Sequence, residues 1–158
     1  MNQDLRTFYD LTQRTRAKVL DWLETLPPEV FTRQHDGFAY GSLSAIQAHV
    51  ADCYRLWVGT VGLGGVGEPR LEANDVQALR SAFARVDTTV LQALDSFTDL
   101  DAPFIWTSPS GEDVKLSRRW LILQPITHEF HHKGQALALA RVLGYPHPGK
   151  PDTDLTDP

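Results

Sequence analysis

Apolar residues recur at spacings of three and four along four separate stretches of this chain, and that recurrence restricts it to helices packed side by side. Residues 4 to 26 carry Leu5, Phe8, Thr12, Thr15, Val19, Trp22, Leu23 and Leu26 in such a stripe, and Pro27 and Pro28 stop it. A second helix is expected from Ser42 or Ser44, either of which suits a first-turn cap. Leu43, Ile46, Val50, Tyr54, Trp57 and Val61 form its buried side, and the glycines from Gly59 onward are expected to dissolve it. Asn74 or Asp75 caps a third helix with Val76, Leu79, Phe83, Val86, Val90, Leu94 and Phe97 in register. Residues 103 to 117 alternate better than they spiral, and Ser110-Gly111 suits the turn of a short hairpin. The fourth helix runs from Arg118 to Leu143, where Gly144 and Pro146 end it.

Four such helices of roughly 20 residues predict an all-α, up-and-down four-helix bundle with a short hairpin before the last helix. Residues 1–158 read as a single domain, with 145–158 an irregular tail too rich in Pro and Asp for a helix. The net charge of -5 argues against a nucleic-acid partner, which needs a basic face. No stretch approaches the roughly 18 apolar residues of a membrane span, and no signal peptide is visible. Cys53 is the only cysteine, so no internal disulfide is expected and a cytoplasmic location is the simplest reading. GLGGVG, residues 62 to 67, matches a dinucleotide-binding spacing, but it follows a helix and leads into Glu68-Pro69, which marks an interhelix loop.

HEFHH, residues 128 to 132, contains the His-Glu-x-x-His pattern of zinc proteases. On a helix, His128 and His132 project side by side, on the same line as Leu121 and Leu139, so both imidazoles are expected to face inward. Two adjacent nitrogen donors in a partly dry site suit a divalent metal. A protease does not follow. Gln135 and Ala138 stand where one protease class has Gly and His, and no Glu exists after Glu129 to serve as third ligand in another. Glu129 itself lies about 80° from the inward direction, which predicts a group beside the site or at the surface rather than a general base.

A third ligand must come from another helix, and His49 is the best placed, flanking the buried stripe of the second helix. His35 in a loop and His147 in the tail are less fixed, and His131 is offset from the inward line. Cys53, one turn beyond His49, is within reach of a metal, but a lone buried cysteine is more often just a small apolar side chain. Gln135, one turn beyond His132, is the candidate to bond a substrate, or else to cap a buried polar group. Trp22, Trp57 and Trp120 read as core, and Lys133 as a solvated charge.

SLSAIQAHVADCYRLW and HEFHHKGQALALARVLG, with the Pro- and Asp-rich tail that follows, resemble the DinB/YfiT-like metalloenzyme family over nearly the whole chain. The resemblance implies a four-helix bundle, often dimeric, holding a divalent metal on three histidines, which fall here on His49, His128 and His132. Zinc or nickel is the expected ion. Thiol-dependent enzymes, among them bacillithiol S-transferases and a mycothiol-dependent maleylpyruvate isomerase, belong to that family.

Three neutral imidazoles leave a coordination position open, which is the pattern of a catalytic rather than a structural site. Transfer of a small thiol, a low-molecular-weight co-substrate, to an electrophile is the preferred activity. Metal-assisted hydrolysis is the second, and a non-enzymatic metal-binding or stress-response module is the competing class. Ligation by imidazoles predicts weaker metal binding below about pH 6, near their ordinary pKa. Wide apolar stripes, with Phe8 beside Tyr9, Trp22 beside Leu23 and Val90 beside Leu91, suggest pairing as a homodimer.

Overall fold

The computed structural model describes residues 3–149. Its elements are α1 (Gln3–Glu24), a short α2 (Pro28–Phe31), α3 (Leu43–Tyr54), a π-helical continuation of α3 (Arg55–Gly62), α4 (Val76–Ser96), β1 (Pro103–Thr107), β2 (Asp113–Ser117) and α5 (Arg118–Val142). Four main helices and a two-stranded antiparallel hairpin before the last of them match the fold expected from the stripes. No helix among the described residues is long and apolar enough to cross a membrane.

Helices α3, α4 and α5 each start where a side chain takes an orphan backbone N–H. Ser42 Oγ accepts from Ala45 N at 3.1 Å, Asp75 Oδ1 from Ala78 N at 2.7 Å, and Ser117 Oγ from Trp120 N at 3.3 Å. The hairpin pairs Phe104 with Leu116 and Trp106 with Val114, and its turn uses Gly111 at φ 84°. Ile46, Val50, Leu79, Val90, Leu121, Ile126 and Leu139 are fully enclosed where α3, α4 and α5 meet.

Several positions depart from the expected pattern. On α1 the most buried line is Tyr9, Thr12, Arg16, Leu20 and Leu23, whereas Phe8 and Val19 are only half-buried. Helix α2 arises because Pro28 occupies the first turn, where its missing N–H costs nothing. Gly59 does not dissolve the second helix, which continues with π geometry to Gly62. The reason is packing: a Cβ on Gly62 would meet the Phe97 ring at 3.1 Å, the Trp57 carbonyl at 3.3 Å and Leu121 at 3.4 Å, so the bare backbone is what fits against α5. The chain then reverses at Gly64 (φ 72°), and Gly65 N returns to Gly59 O at 3.0 Å. The GLGGVG run is therefore a helix-closing loop.

Trp22 is core, but Trp57 is half-buried and Trp120 is 37% exposed; the two meet edge to face at 5.0 Å beside Trp106 on the hairpin. Lys133 is buried rather than solvated, its ammonium 5.4 Å from the Phe130 ring centre, because α1 closes over that face of α5. Tyr9, Trp22, Leu23 and Val90 are all buried within the single chain, so most of the wide stripe packs internally and Leu91 is left exposed. Tail residues 145 to 149 are irregular, and His147 lies against α1, 5.0 Å from Trp22 ring to ring; 150–158 fall outside the described residues.

Candidate metal centre

Helix α3 contributes His49 and Cys53 one turn apart, and α5 contributes His128 and His132 one turn apart. Because the two helices pack directly together, their i, i+4 pairs face each other. His128 Nε2 lies 2.9 Å from His49 Nε2 and 3.0 Å from His132 Nε2. Cys53 Sγ is 3.6 Å from His49 Nε2. The ligand atoms of His49, Cys53 and His128 all lie within 4.8 Å of one another, enough to hold a metal ion. The group that meets this spacing among the described residues is His49, Cys53 and His128, and His132 adjoins it through His128.

The electrostatics suit a cation. Burial, with smaller contributions from His128 and the Arg70 charge, lowers the His49 pKa to about 4. Burial likewise lowers His132 to about 4, and His128 is also shifted down. All three rings are consequently neutral donors at neutral pH, as a metal requires. The Cys53 thiol is pushed up to about 11 by burial and then by Asp52, so it stays protonated until a cation displaces its proton.

A set of orienting groups surrounds these donors. His132 Nδ1 donates to Gln135 Oε1 at 2.8 Å, which leaves the Nε2 lone pair directed at the cluster. Gln135 Nε2 then meets His131 Nε2 at 3.0 Å, so Gln135 joins an exposed histidine to a buried one. His35 stays in its loop, where its Nδ1 accepts from Gly37 N, and His147 lies against Trp22. Neither joins the cluster.

Tyr40 was not anticipated. It precedes α3 with φ 68°, a left-handed conformation unusual for a bulky non-glycine residue, and its hydroxyl is 2.9 Å from His49 Nε2. Its ring stacks on His49 at 4.1 Å between centres. Such strain persists where the surroundings hold it, often at functional sites. The Tyr-Gly-Ser sequence ahead of the helix signals a cap but not a side chain folded back onto the helix's second turn.

Glu129 points away from the donors, as helix geometry requires, but it is not at the surface. It is buried in the core, where its carboxylate accepts Arg16 Nε at 2.7 Å, Arg16 Nη2 at 2.9 Å and the Tyr54 hydroxyl at 2.7 Å. Arg16 Nη1 also donates to Asp87 at 2.6 Å, and Tyr9 donates to the same oxygen at 2.7 Å. The Glu of the protease-like pattern is thus the centre of a polar network that ties together α1, α3, α4 and α5. The sequence signal for it was Arg16, which stands on the buried line of α1 between Thr12 and Leu20.

A cavity of about 660 Å³ opens beside His49 and Cys53 and extends between the π-helical stretch, the 63–70 loop and α4. Leu56, Thr60, Val66, Arg70, Thr89 and Gln92 are among its walls. Its size falls in the usual range for small-molecule sites.

The fold and site define a class: a helical bundle in which side chains of two facing helices form a group that could hold a metal ion beside a cavity. The DinB family model matches residues 1–156, and the chain belongs to the DinB family. The crystal structure of a DinB-like protein from Bacillus cereus ATCC 10987 is similar to it with a TM-score of 0.68 at 19% identity, covering 92% of this chain and 95% of that one. At that identity the likeness establishes the fold. None of the curated proteins matches the chain significantly.

Proposed function

We propose that this protein is a metal-dependent enzyme that transfers a small thiol to an electrophile, with the ion held by His49, His128 and His132. The observation that carries the reading is the close approach of the three Nε2 atoms around His128, beside a cavity that reaches His49. Zinc or nickel suits neutral imidazole donors. A divalent ion there supplies Lewis acidity and favours the thiolate form of a thiol that reaches it.

The chain's own residues would do the rest. Gln135 holds the His132 ring so that Nε2 faces the site. The Tyr40 hydroxyl supplies a hydrogen-bonding group beside His49. The cavity admits the electrophile, and a cytoplasmic setting would keep the co-substrate thiol reduced. Glu129 is committed to Arg16 and is not available as a general base, which separates this site from the zinc proteases and leaves metal-assisted hydrolysis without an obvious carboxylate base.

One observation favours a second reading. Cys53 Sγ stands 3.6 Å from His49 Nε2, and a thiolate added to the three imidazoles would close the coordination shell, as structural and storage sites do. The test is a transfer assay with zinc-loaded protein, a small thiol and monochlorobimane. Acceleration that chelation or His128→Ala removes supports the enzyme. Absence of acceleration in the wild type, together with loss of metal in Cys53→Ser, supports the closed site.

A further inference from the structure

Two arginines border the cavity beside His49, and they differ in their bonding. Arg55 is saturated: its guanidinium pairs with Asp52 and Glu68 and also donates to the Pro69 carbonyl at 3.0 Å. Asp52 is further occupied by the Leu71 N–H at 3.0 Å. Arg70 has no carboxylate or carbonyl partner among the described residues. Its Cζ lies 5.6 Å from the centre of the Tyr40 ring, which also stacks on His49 at 4.1 Å and meets His132 edge to face at 5.5 Å. One aromatic ring therefore separates a guanidinium from the histidine cluster.

A guanidinium offers a planar fork of donors, which two oxygens of a carboxylate match. A phosphate dianion fits this wall less well, since Asp52 and Glu68 border the same cavity and would repel the second charge. Leu56 and Val66, exposed at 44% and 92%, supply apolar surface along the wall. We infer that Arg70 forms a carboxylate subsite in this cavity, so that the small molecule whose reacting end meets the histidine cluster carries a carboxylate at its other end. The position of that reacting end rests on the metal and thiol reading above; the subsite itself rests on Arg70.

The experiment is calorimetric titration of zinc-loaded protein with mercaptoacetate, mercaptopropionate and mercaptobutyrate, each against the matching mercaptoalcohol. Acetate, propionate and butyrate form a third series without the thiol. A guanidinium–carboxylate pair should make at least one mercapto acid bind about tenfold or more tightly than its alcohol. Arg70→Gln should abolish that preference and Arg70→Lys should keep part of it, a graded response that a merely structural residue would not give. Arg70 is exposed, so both variants are expected to fold. Acids and alcohols that bind alike, or a preference that survives in Arg70→Gln, would overturn the subsite while leaving the thiol reading intact. Conversely, if the thiols bind no better than the simple acids, the thiol reading fails, yet binding of those acids that Arg70→Gln removes upholds the subsite.

Discussion

Glu129 and Arg16 form a two-bonded ion pair in the middle of the bundle, 113 positions apart in the chain and directly beside the first histidine of α5 in sequence. Neutralising the carboxylate would leave a buried guanidinium with only Asp87. Glu129→Gln is therefore expected to lower folding stability by about 3 kcal/mol, toward the lower end for a broken buried pair. Metal content and activity per folded molecule should change little. Denaturant unfolding alongside metal analysis checks this, and a 10²-fold or greater loss of activity in fully folded, loaded protein would make Glu129 a general base after all.

His128 is the centre of the donor cluster, within 3.0 Å of both other histidines. His128→Ala should abolish stoichiometric binding of a divalent ion, and His132→Ala should weaken it severely. Cys53→Ser should leave the stoichiometry intact if the three imidazoles are the ligands. Elemental analysis of the purified variants decides between two ligand sets, one completed by His132 and the other by Cys53. Undiminished metal in His128→Ala would exclude both.

Much of this was legible in the chain. Stripes at Leu43–Val50 and Val76–Leu94 located α3 and α4, and the i, i+4 pair with a histidine on a facing helix picked out three side chains that the fold brings together, because helical periodicity fixes direction. What sequence could not supply was the partner of each polar group. Arg16 sits on an apolar line, and only the packing of four helices shows that Glu129, Asp87, Tyr9 and Tyr54 converge on it. Tyr40 was missed for a related reason, since a left-handed residue before a helix cap has no local signature when it is not glycine. Lys133 and Gly59 were misread because burial by α1 and contact with α5 outweigh local preference.

Acid should act through the histidines. In the unfolded chain each titrates near 6.5, whereas in the folded protein His49 and His132 lie at about 4. Between those values the unfolded chain takes up protons that the folded one refuses, so their contribution to stability is full above about pH 6.5 and is lost as pH falls toward 4. The melting temperature of metal-free protein should decline across that window. Metal release is expected closer to pH 4 or 5 than to the pH 6 that ordinary imidazoles would give, since fewer protons compete. Release complete at pH 6, followed by colorimetric chelator, would contradict the burial-shifted values.

Subunit pairing is proposed to use what the single chain leaves uncovered, namely Leu91 on α4, Trp120 on α5 and Ile105 on the hairpin. Light scattering is expected to give a mass near twice 17.7 kDa with or without metal, because the donors come from α3 and α5 of one chain. A clean monomer removes the dimer. A dimer lost on chelation would place the ion between subunits.

The cavity shares only one side, at His49 and Cys53, with the histidine cluster. His49, His128 and His132 are fixed where α3 meets α5, and bare backbone at Gly62 sets how closely the π-helical stretch packs against that pair. Thr60, Thr89 and Gln92 also line the cavity, from the π-helical stretch and α4. Substitutions there would recut the shape of the chamber while the histidine cluster stays in place. Such a division lets one bundle be retuned to new small molecules by drift at a few wall positions, and it marks those three residues as the place to begin if the protein were to be engineered for a chosen substrate.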